Sequence, residues 1–292
     1  MRICFVCSEY PPVPHGGIGS MIQVLGRALA ARGHQVKVIG VYAKADASPD
    51  PHWDEGVEVW RLRQPDARLG WIAARYQVFR QVSAWVGEGL IDLVECPDWE
   101  GWTAGWPKLT VPVIVRVNGS QAYFASELRQ RCHKTAYWLE RASLRRSDFW
   151  CSVSRYTARK TSELFAPMGA NCTVIYNLVD MPDVDEATAR MRGEVVFSGT
   201  LTEKKGIRSL IRAWPLVRQR HTDAVLHVYG KDSSCTSGPS MRESLEAELP
   251  DAVRPSVIFH GHQPRELLID HLRRAHVAVF PSHAEAFAMA PL

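Results

Sequence analysis

No stretch of this 292-residue sequence approaches the roughly 20 apolar residues that a membrane-spanning helix needs. The start carries no signal-peptide pattern: after Arg2 the apolar run stops at Ser8-Glu9 and then Pro11-Pro12. A cytoplasmic protein is expected, at the inner membrane face if it meets lipid. The seven cysteines show no metal-ligand pattern. Cys4 and Cys7 have CxxC spacing, but Cys4-Phe-Val-Cys7 sits in an apolar run and reads as a buried strand. Core thiols are the first reading of the pair and a redox or metal role the second. The odd count argues for a reducing compartment. No Asp-x-Asp motif stands at a strand end, since Asp183-x-Asp185 falls in a polar connection. No essential metal is therefore expected. There is no GxGxxG turn, so a nicotinamide cofactor is not indicated. The net charge of +4 is far from the strong basic stripe of a nucleic-acid protein. It suits anionic small ligands or weak peripheral membrane contact. Short-period repeats, low-complexity tracts and heptads are also missing.

What is present is globular. Hydrophobic content is 46% and charged content 23%, ordinary values for a soluble fold. The length allows two domains, each with its own core. One stretch organises the chain, Phe197-Ser-Gly-Thr-Leu-Thr-Glu-Lys-Lys-Gly206. The apolar run Glu194–Phe197 feeds Gly199 and a loop with two adjacent lysines. A helix follows, with Ile207, Leu210, Ile211, Trp214 and Val217 on one face at helical spacing. Open α/β sheets bind ligands where strand ends feed helices. Free N–H groups, the helix dipole and a lysine there make an anion site. The plain alternative is an ordinary strand-loop-helix with a solvated lysine pair.

The front of the chain has the same logic. Ile3–Cys7 is a short apolar run, the mark of a strand buried on both faces. Loop residues lead to Gly16-Gly17. A helix follows with Ile18, Met21, Ile22, Leu25 and Leu29 on one side, ended by Gly33-His34, and then the strand Gln35–Val41. Glycines at a helix start let backbone approach a ligand, as a phosphate requires. Pro49 to Glu55 reads as a turn-rich connection. Further strands are predicted at Val57–Leu62, Ile91–Glu95, Val111–Val117, Asp148–Val153 and Cys172–Tyr176. Helices are predicted at Trp71–Val86 and across Arg129–Arg146, whose many basic residues read as a solvated face or as a patch for anionic lipid or acceptor. Ser154 reads as a helix N-cap. Residues 1–177 make a first domain, 178–193 a linker and 194–292 a second domain. The second has strands at Glu194–Ser198, Ala224–Tyr229, Ser256–His260 and His276–Pro281, with helices starting near Lys205, Pro239 and Pro264. The expected architecture is α/β, with two Rossmann-like domains facing across a cleft.

Four motifs together carry a resemblance. They are Pro12-x-x-His15-Gly16-Gly17, Tyr176-Asn-Leu-Val-Asp180, Gly199-Thr-Leu-x-x-x-Lys205-Gly206 and Phe280-Pro-Ser-x-x-Glu285-x-Phe287. The set resembles glycosyltransferase family 4, retaining nucleotide-sugar-dependent enzymes of the GT-B fold. The resemblance covers the whole chain. It implies that Gly16 and Gly17 approach the diphosphate or acceptor, and that Lys205 binds phosphate near Gly199 and Thr200. Glu285, as the first glutamate of an E-x7-E motif, would meet donor-sugar hydroxyls, with backbone near Phe287 doing likewise. Gly261-His262 is similar to the family's base-binding turn. Three departures stand out. Gly199-Thr200-Leu201 replaces Gly-Arg-Leu, so one cationic phosphate contact is absent. Asn118 stands where a histidine is common; it keeps hydrogen bonding and loses charge. The second glutamate would fall one position beyond Leu292.

The expected chemistry is transfer of a sugar from a nucleotide-diphosphate sugar (UDP-, GDP- or another) to an acceptor hydroxyl. The acceptor class is open: a sugar, a lipid-linked molecule or another small molecule. Developing negative charge on the diphosphate needs stabilising, which Lys205 and backbone N–H groups supply. Front-face attack is what the resemblance implies, with Lys205, Glu285 and Asn118 as catalytic residues. Glu285 as general base is a further option. Two other functions share the motifs, nucleotide-sugar binding without turnover and hydrolytic epimerisation. The second domain is expected to be incomplete at Leu292, with a helix beginning near Glu285 and apolar surface left under-covered around Val277, Val279 and Phe280. On that reading the chain is less stable than a longer version.

Overall fold

The computed structural model describes residues 1–66, 68–165, 172–179, 189–233 and 239–291. The chain forms two units, Met1–Asp180 and Met181–Leu292.

The first unit is built on an eight-stranded sheet. Its strands are β1 (Arg2–Val6), β2 (Gln35–Tyr42), β3 (His52–Asp54), β4 (Val57–Arg63), β5 (Leu93–Pro97), β6 (Val113–Val117), β7 (Phe149–Ser152) and β8 (Thr173–Val174). They lie in the order β3-β4-β2-β1-β5-β6-β7-β8. Every pair is parallel except β3 with β4. Helices α1 (Gly17–Ala31), α2 (Gly70–Gly87), α3 (Gln121–Glu127), α4 (Lys134–Arg146) and α5 (Arg155–Phe165) connect them. The alternation of a strand decides what each face buries. Ile3, Phe5 and Cys7 pack with Met21 and Ile22 of α1. Cys4 and Val6 pack with Ala74, Val78, Val82 and Trp85 of α2. Cys4 and Cys7 thus belong to opposite faces. CxxC spacing in a strand separates two thiols where in a turn it would join them. Both are buried, and burial pushes each thiol up to about 12.

The second unit has a four-stranded parallel sheet in the order β11-β10-β9-β12. Its elements are β9 (Met191–Ser198), α6 (Ile207–Arg220), β10 (Val225–Tyr229), α7 (Met241–Glu248), β11 (Val257–Gly261), α8 (Arg265–Arg274) and β12 (Ala275–Ala278). One face buries Phe197, Leu226 and Val228 against Ile207, Ile211 and Trp214 of α6 and Leu245 of α7. The buried Trp214 indole donates to Ser256 Oγ at 2.9 Å. On the other face Val196, Tyr229 and Ala275 pack with Leu268 and Leu272 of α8.

Several local expectations change. His52–Asp54 is a strand inside the stretch read as a turn-rich connection. It is polar because it lies at the sheet edge, where Asp54 accepts from Tyr10, Gln23 and Arg27. Only Lys134–Arg146 of the predicted Arg129–Arg146 helix is helical. Arg129 takes a left-handed conformation (φ 54°) just after α3, which ends that helix. Ser120 caps α3, its Oγ accepting from Tyr123 N. Ser154 caps α5 as predicted, accepting from Thr157 N at 3.1 Å. Strand β9 begins at Met191, inside the stretch read as linker, and residues 180–188 of that stretch lie outside the described residues. No helix forms from Glu285 to Pro291, where one was expected. Among the described residues no helix is long and apolar enough to cross a membrane.

Candidate active site

In a parallel sheet all strands end at one edge, and both units concentrate their polar turns there. In the second unit, β9 runs into Gly199, whose N–H donates to Tyr229 O at 3.0 Å. Gly230 N donates in turn to Gly261 O at 2.8 Å. Three neighbouring strands therefore end in linked glycines. After Gly199, Leu201 N donates to Lys231 O at 2.9 Å and holds the loop to the sheet. A single 3-10 turn, Glu203–Lys205, leads to Gly206, the residue before α6. Gly206 is left-handed (φ 70°, ψ 13°). A Cβ there would stand 1.9 Å from Pro281 O. Glycine is required twice over, by its dihedral and by the close approach of the chain.

That approach brings the last motif onto the first. Lys205 Nζ lies 2.5 Å from Glu285 Oε1, each side chain about a quarter exposed. Ser282 Oγ donates to the same carboxylate oxygen at 2.8 Å. His283 N donates to Lys204 O at 2.8 Å, and His283 Nε2 lies 3.2 Å from Ser209 Oγ at the start of α6. Burial, aided by the neighbouring Lys205 charge, lowers the pKa of Lys204. The site thus holds a cation and a carboxylate in contact beside a helix start. It can accept a sugar hydroxyl at Glu285 and an anionic group at Lys205. Phe287 is half-buried. Thr200 is exposed beside Gly199, and His262 is exposed after Gly261, itself left-handed at φ 71°. The structure therefore brings Lys205 and Glu285 into contact, with Gly199, Thr200, Gly261 and His262 at the ends of adjacent strands. Ser282 stood in the quoted motif without a role, and Gly230 was missed. A glycine directly after an apolar strand was the available signal for Gly230.

The first unit's edge is arranged differently. At the start of α1, Glu9 accepts from Gly16 N at 3.1 Å and from Gly19 N at 2.8 Å. A Cβ on Gly19 would stand 1.9 Å from Glu9 O. The anion position at this helix start is filled by the chain's own carboxylate, a residue that sequence reasoning passed over as the end of an apolar run. Gly16 and Gly17 lie exposed beside it. Two strands away, Asn118 follows β6. Its N–H donates to Asp98 Oδ1 at 2.9 Å and its Nδ2 to Arg116 O at 3.3 Å. Its Oδ1 is buried with no hydrogen-bond partner among the described residues. Asp98 is fully buried, and burial raises it from the ordinary carboxylate range to about 7. The buried Glu140 of α4 accepts from Gln121 N at 2.8 Å and Ala122 N at 3.0 Å. Burial raises its pKa too. Asp98 and Glu140 were not singled out from the sequence. Glu140 was hidden in a helix whose neighbours are basic.

Comparison with known proteins decides the family. Residues 16–177 match the family model described as Glycosyl transferase 4-like domain, and residues 192–292 the one described as Glycosyl transferases group 1. The chain belongs to the glycosyl transferase 4-like family. Its relatives include glycogen synthase of Mycobacterium tuberculosis, 28% identical over 320 residues spanning 100% of this chain and 75% of that one. They also include the GDP-mannose-dependent alpha-(1-6)-phosphatidylinositol monomannoside mannosyltransferase of Mycolicibacterium smegmatis, 28% identical over 304 residues, 94% and 71% of the two chains. Among solved structures, sucrose-phosphate synthase from Thermosynechococcus elongatus matches with a TM-score of 0.74 at 18% identity, covering 98% of this chain and 77% of that one. The glycosyltransferase is thus a transferase enzyme, and its two parallel-sheet units are the Rossmann-like halves of a GT-B fold.

Proposed function

We propose that this glycosyltransferase is a retaining enzyme that moves a sugar from a nucleotide-diphosphate sugar to an acceptor hydroxyl. The observation that carries the reading is the contact between Lys205 and Glu285 at the strand-to-helix turn. Bond breaking between sugar and diphosphate leaves negative charge on the departing phosphate oxygen. Lys205 and the N–H groups at the start of α6 meet that charge, where preorganised donors act most strongly. Glu285 is steadied by Lys205 and by Ser282 Oγ. It accepts hydroxyl hydrogens of the donor sugar and fixes the ring as an oxocarbenium-like state develops. Attack comes from the face of the departing phosphate, whose oxygen takes the acceptor proton. The base lies against Gly261-His262, and Asn118 hydrogen-bonds a sugar hydroxyl. The GDP-mannose dependence of the M. smegmatis relative supports a nucleotide-sugar donor. The acceptor is a sugar, a lipid-linked molecule or another small hydroxyl compound.

A panel of nucleotide sugars tested by calorimetry, followed by product analysis with and without acceptor, examines the reading. Transfer with retained anomeric configuration is expected. Binding without turnover, or epimerised sugar released without acceptor, would sink it. The charge-stabilising groups in this account are side-chain and backbone nitrogen. A chelator is therefore expected to leave activity nearly intact, and activity lost to EDTA and restored by magnesium or manganese overturns that part.

A further inference from the structure

At the same carboxyl edge as Asn118, the first turns of α2 and the turn after β5 carry exposed rings. Trp71 is 41% exposed, Tyr76 61% and Trp99 37%. Such rings are ordinarily covered in a folded chain. Arg75 links the first turn of α2 to the turn after β5. Its guanidinium carbon lies 5.3 Å from the ring centroid of Trp71 and 5.3 Å from that of the buried Trp102. Its Nη1 donates to Trp71 O at 3.0 Å and its Nη2 to Glu100 O, the residue after Trp99. We propose that Trp71 and Trp99 form a stacking ledge for a neutral oligosaccharide chain, the acceptor of the transfer reaction.

Three features single out this occupant. The cation at the ledge's centre is already committed. Arg75 gives one N–H from each terminal nitrogen to a backbone carbonyl and its charge to two indoles, and its Nε is buried, so the ledge offers ring faces more than an anion site. A pyranose presents a face of C–H groups with a rim of hydroxyls. The negative face of an indole attracts the C–H groups, and the carboxylate of exposed Glu100 meets the rim. The ledge is also fixed in place. Glu100 is left-handed at φ 64°, as is Gly101 at φ 59°, and a Cβ on Gly101 would stand 2.3 Å from Leu139 O. A non-glycine residue held in that conformation is characteristic of ligand clamps. A rigid platform also loses little entropy when a chain stacks on it. Finally, α2 follows β4 and the turn follows β5, so both emerge at the sheet edge that carries Asn118.

The inference rests on the reading of the chain as a glycosyltransferase with a saccharide acceptor, and its test is independent of turnover. The full chain is run in native gels cast with glycogen, dextran or yeast mannan, and its binding to phosphatidylcholine vesicles with and without phosphatidylglycerol is measured. At least one glycan should retard the wild type. Trp71→Ala and Trp99→Ala should each weaken that binding roughly tenfold. Trp71→Phe should keep most of it. Trp138→Ala, which removes a ring 57% exposed on α4, should change nothing. Nucleotide-sugar affinity measured by calorimetry should be the same in every variant, which also certifies their folding. Retardation by none of the three glycans overturns the ledge, as does equal retardation of wild type and both alanine variants. Vesicle binding lost in those variants, without glycan binding, assigns the rings to a membrane instead and also overturns it. If glycans bind but no nucleotide sugar does, the ledge stands and the transferase mechanism proposed above fails.

Discussion

The sequence motifs at the carboxyl edges of the two sheets are held by different means. In the first unit, carboxylates grip backbone: Glu9 takes Gly16 and Gly19 N–H, Asp98 takes Asn118 N–H, and Glu140 takes Gln121 and Ala122 N–H. In the second, a carboxylate grips a side-chain cation, Glu285 on Lys205. Backbone-held carboxylates are part of the scaffold, and releasing one leaves N–H groups unpaired. A carboxylate held by lysine and serine can exchange partners when a phosphate takes the lysine. The first set is tied to backbone, and the donor of the proposed reaction would compete for the second.

Substitutions can break this contrast, and the largest effect is expected at glycine. Gly206→Ala forces a left-handed residue and drives a Cβ into Pro281 O. It should destabilise the second unit by about 3 to 5 kcal/mol. Gly16→Ala should change stability by less than about 0.5 kcal/mol. That position is extended (φ −108°), and a Cβ meets only the end of the Glu9 side chain, at 3.3 Å. Denaturant titration of both variants tests the pair, and equal losses would erase the distinction.

Next comes Asp98. Its carboxyl is raised to about 7 in the folded chain against about 4 unfolded. Between those values the folded state binds the extra proton, so stability falls as pH rises, by about 1.4 kcal/mol per unit at most. Asp98→Asn removes that titration. The variant should melt above the wild type at pH 8, and the gap should close as pH falls towards 4. A gap independent of pH would show that Asp98 is ionised throughout.

Lys205→Ala should weaken donor binding or transfer by about tenfold to over a hundredfold, from a charge-assisted hydrogen bond of roughly 1.5–3 kcal/mol. Unchanged kinetics would remove the lysine from the site. The smallest effect is expected for Glu9→Gln, which removes the charge at the α1 start. It should lower stability by about 0.3–1 kcal/mol and leave donor affinity as it was. A loss of donor affinity would mean that Glu9 belongs to the second kind of carboxylate.

Much of the fold was legible. Short apolar runs marked the buried strands, because a parallel strand covered on both faces is apolar at nearly every position. Helical spacing gave α1 and α6, whose faces Met21-Ile22 and Ile207-Ile211-Trp214 are buried. The polar edge strand His52–Asp54 was not legible. Its support comes from Tyr10, Gln23 and Arg27, far from it in sequence. Lys205 and Glu285 were legible as motif positions, but nothing in either motif says that the two side chains meet.

The sequence by itself determined where most strands and main helices run, that Cys4 and Cys7 are buried, and which turn carries the lysine. These follow from periodicity and from local backbone limits, which act over a few residues. Tertiary structure alone decided the partnerships: Glu9 at the glycine turn, Glu140 beneath α3, Arg75 between Trp71 and Trp102, and Glu285 on a lysine 80 residues away. A hydrogen bond or ion pair depends on two atoms arriving within about 3 Å of each other. Only the closing of the sheets and the packing of their helices sets that distance.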